Sequence, residues 1–116
     1  MMLRGSSAVA GESVDLTAIA HGSGTDSGVP GGRALLRLVE AALRDPAALP
    51  EAREEVQALL GENALVDAAG VIGNFQRMVR IADSTGIPVD GRMAAASAEV
   101  RETLHLNELP SARLAD

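Results

Sequence analysis

Residues 63–91, NALVDAAGVIGNFQRMVRIADSTGIPVDG, form the most sharply punctuated stretch of this sequence and decide its fold class. Apolar residues recur there in steps of three and four, the spacing of one face of an α-helix. They are Leu65, Ala68, Ala69, Ile72, Phe75, Val79 and Ala82. Asn63 is the predicted N-cap, Gly86 the predicted end, and Pro88 prevents continuation. The stretch predicts a long helix, helix C, of roughly 30 Å.

Two shorter helical segments precede helix C. Helix A is predicted over residues 33–44, where Asp45 and Pro46 stop the apolar pattern. Its predicted inner face comprises Leu35, Leu36, Val39, Ala42 and Leu43. Helix B is predicted to begin at Pro50, which suits a first helical turn, and to end at Gly61. Its predicted inner face comprises Ala52, Val56, Leu59 and Leu60.

A further helix is predicted toward the C-terminal end of the chain, and a flexible segment at the N-terminal end. Asp90 is predicted to cap a further helix, helix D. Its inner face would comprise Met93, Ala96, Val100 and Leu104. Residues 1–32 are rich in Gly and Ser, and residues 12–20 within them fit either a short helix or a strand. We therefore predict an all-α domain over residues 33–116, built as a four-helix unit, with a flexible arm at residues 1–32.

Composition excludes several kinds of chemistry. The chain has no Cys, which excludes a thiolate zinc site, a disulfide framework and thiol redox chemistry within it. All ten basic residues are Arg, so no lysine is present to form a Schiff base. The sequence predicts no cofactor and no metal.

Charge limits the partners. The net charge is -6 and no basic run occurs, so we predict no nucleic-acid partner. Residues 63–85 carry four charged side chains, which excludes a membrane span there. No continuous apolar block follows Arg4, as a secretory signal would require, so we expect a cytoplasmic protein.

Helix C contains two glycines that need an explanation. Gly70 and Gly73 each lower helix stability by about 1 kcal/mol relative to alanine. Close approach of another helix would offset this loss, because a surface without side chains lets two backbones come near each other. Val66 and Val71 border the same area, so helix C is predicted to bury two faces. A domain of this size cannot easily cover both, which predicts a homo-oligomer or a subunit of a larger complex.

A polar cluster lies midway along helix C. One interpretation places Arg77 or Arg80 on an anionic ligand, with Asn74 as a hydrogen-bonding partner. The favoured interpretation is a polar seam between helices or subunits, with the arginines tied to acids such as Asp67, Asp83 or Asp90. Arg80 and Asp83 are predicted to pair, because they are three residues apart on the helix. The predicted interface residues are Gly70, Gly73, Asn74, Phe75, Arg77, Arg80 and Asp83.

The two histidines offer little catalytic chemistry. His105 lies near the end of helix D, where a cation suits the helix dipole, so a surface or capping role is expected. His21 is a weak catalytic candidate, and Glu12 is the acid that could act with it.

Short motifs in residues 33 to about 90 resemble a known family. The pieces are Arg44-Asp45-Pro46-Ala47-Ala48, Asn74-Phe75, Arg80-Ile81-Ala82-Asp83 and Gly86-Ile87-Pro88. In this order they resemble the C-terminal half of the alkylhydroperoxidase D-like and carboxymuconolactone decarboxylase-like proteins. The resemblance implies a helical scaffold that oligomerises through its helices.

The chain departs from that family at its redox motif, Cys-x-x-Cys-x-x-x-His. If His21 is aligned with the motif histidine, Val14 and Thr17 occupy the cysteine positions, so thiol peroxidase activity is not expected. The resemblance and this departure together predict a noncatalytic interaction or assembly module on a degenerate scaffold. The alternative is a cysteine-independent acid/base enzyme of the decarboxylase type, using His21 and Glu12.

Overall fold

The computed structural model describes residues 11, 14–22, 27–88 and 90–110, and within these ranges it contains helices and no strand. The α-helices are α1 (Thr17–His21), α2 (Gly32–Arg44), α3 (Leu49–Leu60), α4 (Glu62–Thr85), α5 (Gly91–Ala96) and α6 (Ala98–Thr103). Short 3-10 turns span Pro46–Ala48 and Leu106–Glu108. The all-α prediction is confirmed. The four-helix unit stays a prediction.

The core lies where α2, α3 and the first half of α4 meet. Its buried residues are Ala34, Leu38, Ala41, Ala52 and Val56. Leu35, Leu60, Leu65, Ala68 and Ile72 are half-buried around them. Most of the buried residues are alanines, so the two helices that carry them, α2 and α3, can approach closely. α3 lies in the middle of this layer, in contact with α2 on one side and α4 on the other.

The predicted inner faces of helices A and B are partly wrong. Leu38 is buried although it was not placed on the inner face of helix A, whereas Leu43 is 45% exposed. In helix B, Leu59 is 63% exposed. Apolar residues occur all around residues 34–43, so periodicity alone leaves several faces possible. In the structure, Ala34 and Ala41 of α2 pack in the core with Ala52 and Val56 of α3.

The helix ends follow the predicted caps, with one exception. Gly86 ends α4 in the left-handed conformation, and the Asp90 carboxylate accepts a hydrogen bond of 3.0 Å from the Met93 amide. Asn63 is not an N-cap, because α4 already begins at Glu62. A single residue, Gly61, joins α3 to α4, and its φ of 90° makes this short connection possible.

Helix D is two helices. The break falls at Ser97, whose hydroxyl donates a hydrogen bond of 2.6 Å to the Met93 carbonyl oxygen. Such bonds to the preceding turn bend helices. Because the helix is interrupted there, the single predicted face is wrong: Met93 and Ala96 are exposed, while Val100 and Leu104 are half-buried.

The segment before α2 contains the short helix α1. A helix was one of the two alternatives predicted for residues 12–20, and a strand was the other. Asp15 precedes α1 and accepts hydrogen bonds from the Thr17 hydroxyl, at 2.6 Å, and from the Thr17 amide, at 2.9 Å. These bonds hold the pKa of the Asp15 carboxyl below its usual value. Leu16 and Ala18 are buried. Leu16 also lines a small cavity together with Val100 and Leu104 of the α6 region.

Candidate functional site

The most distinctive surface of the molecule is the second half of α4. This helix has 24 residues, but only its first half reaches the core, through Leu65, Ala68 and Ile72. No residue of α4 is buried. From Gly73 to Thr85 the helix continues beyond the core, and most of the side chains there are exposed.

From Val71 onward, α4 carries a strip of large apolar side chains. The strip, called the α4 strip below, consists of Val71, Phe75, Met78, Val79 and Ile81, which are between 47% and 56% exposed. Phe75 is the only aromatic residue of the chain. Contiguous apolar surface of this kind marks a docking site more often than a single exposed leucine does.

The sequence contained a signal for part of this strip, which the predicted inner stripe of helix C used only in part. Positions 68, 71, 75, 78 and 82 alternate in steps of three and four, and all five residues are apolar. This is the spacing of a seam between two packed helices. The predicted stripe did not include Val71, Met78 and Ile81, because it followed the face of Leu65 and Ile72, which packs against the core.

The two glycines of α4 face open space. A Cβ atom added at Gly70 or at Gly73 would meet no heavy atom within 4 Å. The close helix approach that these glycines predicted is therefore not made by another described helix of the same chain.

We expect Gly70→Ala and Gly73→Ala each to raise the free energy of unfolding by about 1 kcal/mol, because alanine favours the helix and meets no obstacle. Urea denaturation of dilute protein measures this effect. Gly61→Ala is the control: its surroundings are equally open, but its φ of 90° strains any other residue, so this variant should lose stability. If Gly70→Ala and Gly73→Ala also lowered the free energy of unfolding, the open space beside these glycines would be contradicted.

The polar residues of the predicted seam all lie on α4, and they interact only in part. The Arg77 guanidinium donates a hydrogen bond of 2.8 Å to the Asn74 side-chain oxygen. The Asn74 amide nitrogen lies 3.7 Å from the Met78 sulfur. The predicted pairing of Arg80 with Asp83 is wrong, since these two residues form no ion pair in the described part of the chain. The arginines are thus available to an outside group.

A groove between α2 and α3 has a volume of about 780 Å³. Across it, Arg37 forms a two-bond ion pair with Glu55, in which Arg37 Nε lies 2.7 Å from Glu55 Oε2. The hydrogen bond from Arg37 holds the pKa of the Glu55 carboxyl below its usual value. The groove is open to solvent, and its two central charges already satisfy each other.

The structure describes only one of the two weak catalytic candidates. His21 is the last residue of α1 and is exposed, and Glu12 lies outside the described residues. The nearest described acid in sequence, Asp15, is bound by Thr17. His105 is also exposed, as expected for a surface role, and its Nδ1 lies 3.0 Å from a carboxylate oxygen of Glu108.

Among residues 11, 14–22, 27–88 and 90–110, no three acidic or histidine side chains come close enough to hold a metal ion. None of the helices in those ranges combines the length and the apolar character that a membrane crossing requires. Comparison with protein-family models, curated proteins and solved structures finds no match.

Proposed function

We propose that this chain is a noncatalytic helical assembly module that docks through the α4 strip. The observation that supports the proposal is the half-exposed state of five large apolar side chains on one helix. Complete burial of such a side chain stabilises by about 1.5–3 kcal/mol, so roughly 1 kcal/mol per residue is still unused in the single chain. Docking of a second helical surface would bury these side chains and gain this remaining free energy.

The proposal includes the scaffold and its setting. Residues 33 to about 90 resemble the alkylhydroperoxidase D-like proteins through the short motifs given above. We propose a degenerate scaffold of that type, which works as a homo-oligomer or as a subunit of a larger complex in the cytoplasm. The acid/base alternative rests on His21, which is exposed, and on Glu12, which lies outside the described residues.

Met78→Glu tests the proposal, because Met78 is 49% exposed within the strip. We expect this variant to keep its helical circular dichroism and its unfolding free energy to within about 0.5 kcal/mol in dilute solution. At high concentration light scattering should detect association of the wild-type chain and none of this variant, because a charge would be buried at the docking surface.

Leu59→Glu is the matched control, since Leu59 is 63% exposed on α3 and outside the strip. It should leave association unchanged. Two results would overturn the proposal. One is a loss of stability by Met78→Glu of more than about 2 kcal/mol, which would place the strip in the chain's own core. The other is a wild-type association that Met78→Glu does not weaken.

A further inference from the structure

We propose that α4 has a fixed first half and a second half that unfolds locally, with the division at Gly73. The second half, residues 73–85, is called the α4 tail below. In the open form the α4 tail is a coil, while α2, α3 and the first half of α4 keep their fold. The inference concerns the single chain and goes beyond the proposed function, because it does not depend on what covers the α4 strip.

The core fixes only the first half of α4. Leu65, Ala68 and Ile72 pack against the buried residues of α2 and α3, and Ile72 is the last residue of α4 in this contact. Beyond it, residues 73–85 are exposed or half-buried, and none of them packs against the described core. Most of the stability of a helix in a protein comes from packing of its apolar face. The α4 tail lacks this contribution.

The α4 tail is also a weak helix by its own composition. It begins with a glycine, which has the lowest helix propensity of any residue except proline. Its last turn carries Asp83 and no basic residue, an arrangement that the helix dipole disfavours. An isolated helix of this length is marginal in water. Only five residues of the α4 tail are strong helix formers, namely Gln76, Arg77, Met78, Arg80 and Ala82.

The side-chain hydrogen bonds described for the α4 tail stay within it. The Arg77 guanidinium donates to the Asn74 side-chain oxygen, and the Thr85 hydroxyl donates a bond of 2.7 Å to the Ile81 carbonyl oxygen. Both bonds are exposed and join residues on neighbouring turns of the same helix. The α4 tail can therefore open without breaking any of the described side-chain hydrogen bonds of the core.

Gly73 is the boundary because of its position relative to the core. A Cβ atom would meet open space at Gly70 and at Gly73 alike. Gly70, however, lies between Ala68 and Ile72, and the packing of both residues keeps it in the helix. Gly73 comes directly after Ile72, and no later residue of α4 packs against the described core. The entropy that a glycine loses in a helix is therefore not offset by packing beyond this point.

Local opening changes the surface that the chain presents. Phe75, Met78, Val79 and Ile81 of the α4 strip lie in the α4 tail, so they keep a fixed arrangement only while it is helical. The open form is a minor state, on the order of 1–10% of the molecules. A partner that docks on the helical strip would select the closed form. Docking on the strip and folding of the α4 tail are thus coupled.

Amide hydrogen exchange of dilute protein, measured by NMR, tests the opening. Val56 of α3 is 0% exposed, so its amide should exchange only on global unfolding, about 1,000-fold or more slowly than in an unstructured peptide of the same sequence. The amides of residues 77–85 should be protected only about 10–100-fold. Protection of these amides equal to that of Val56 would overturn the proposal. Dilution leaves the α4 strip uncovered, so the result is independent of docking.

Gly73→Ala and the matched variant Gly70→Ala test the position of the boundary. In an α-helix the Asn74 amide donates to the carbonyl oxygen of residue 70, across residues 71–73, so it exchanges when the helix has opened back to Gly73. Gly73→Ala should raise the protection of this amide about fivefold, which corresponds to the ~1 kcal/mol of helix propensity gained. Gly70→Ala should leave it unchanged, because the core already keeps residue 70 helical. Equal effects of the two variants would overturn the division at Gly73.

Discussion

Leu38→Ala is expected to lower the free energy of unfolding by about 2–5 kcal/mol, the range for leucine truncations in packed cores. Leu38 is 3% exposed and is the largest side chain of the five-residue buried core, which it fills between α2 and α3. A domain of this size has a total stability of only about 5–15 kcal/mol. Denaturation by urea, followed by circular dichroism, should therefore show a large shift of the midpoint.

The control for this change is Leu59→Ala, the same substitution on the neighbouring helix α3. Leu59 is 63% exposed, so its truncation should alter stability by less than about 0.5 kcal/mol. If Leu59→Ala proved as costly as Leu38→Ala, the face of α3 that packs in the core would be the one that sequence periodicity suggested, and not the one described above.

Gly31→Ala is expected to cost about 3 kcal/mol. Gly31 caps α2 with a φ of 68°, where any other residue is strained by about 1–2 kcal/mol. In addition, a Cβ atom there would lie 2.7 Å from a methyl carbon of Leu60, at the end of α3. The leucine would have to move, which disturbs the packing of α3 beside α2.

Gly86→Ala separates these two contributions. Gly86 has a φ of 63°, but a Cβ atom at this position meets no atom within 4 Å. Urea denaturation of both variants should show a loss of only about 1–2 kcal/mol for Gly86→Ala, because strain is its sole cause. Equal losses at the two glycines would contradict the contact with Leu60.

The sequence predicted helix boundaries better than helix faces, because the boundaries depend on local chemistry. The stop at Gly86 and the cap at Asp90 need only the backbone and one side chain, and both are confirmed. The break at Ser97 is also local, but serine occurs in continuous helices as well, so its presence alone did not predict a break. The inner face of α2 depends on where α3 docks, which no local pattern specifies.

For the candidate site, too, one feature was indicated by the sequence and another could not be predicted from it. The unfavourable helix propensity of Gly70 and Gly73 drew attention to α4, and no described helix of the same chain covers the open space beside them. Their role in an interface stays a prediction. The exposure of Met78 and Ile81 could not be predicted, because it depends on the core ending near Ile72 while α4 continues to Thr85. That end point is set by the lengths of α2 and α3 together.

The single phenylalanine allows the most direct test of the central claim that the α4 strip is a docking surface. If fluorophenylalanine is incorporated, the chain carries one fluorine probe, at Phe75, where 47% of the residue is exposed. We predict a fluorine resonance that moves with protein concentration in the wild-type chain and stays at the monomer position in Met78→Glu. A resonance at one fixed position in the wild-type chain, from micromolar to millimolar concentration, would contradict assembly through this strip.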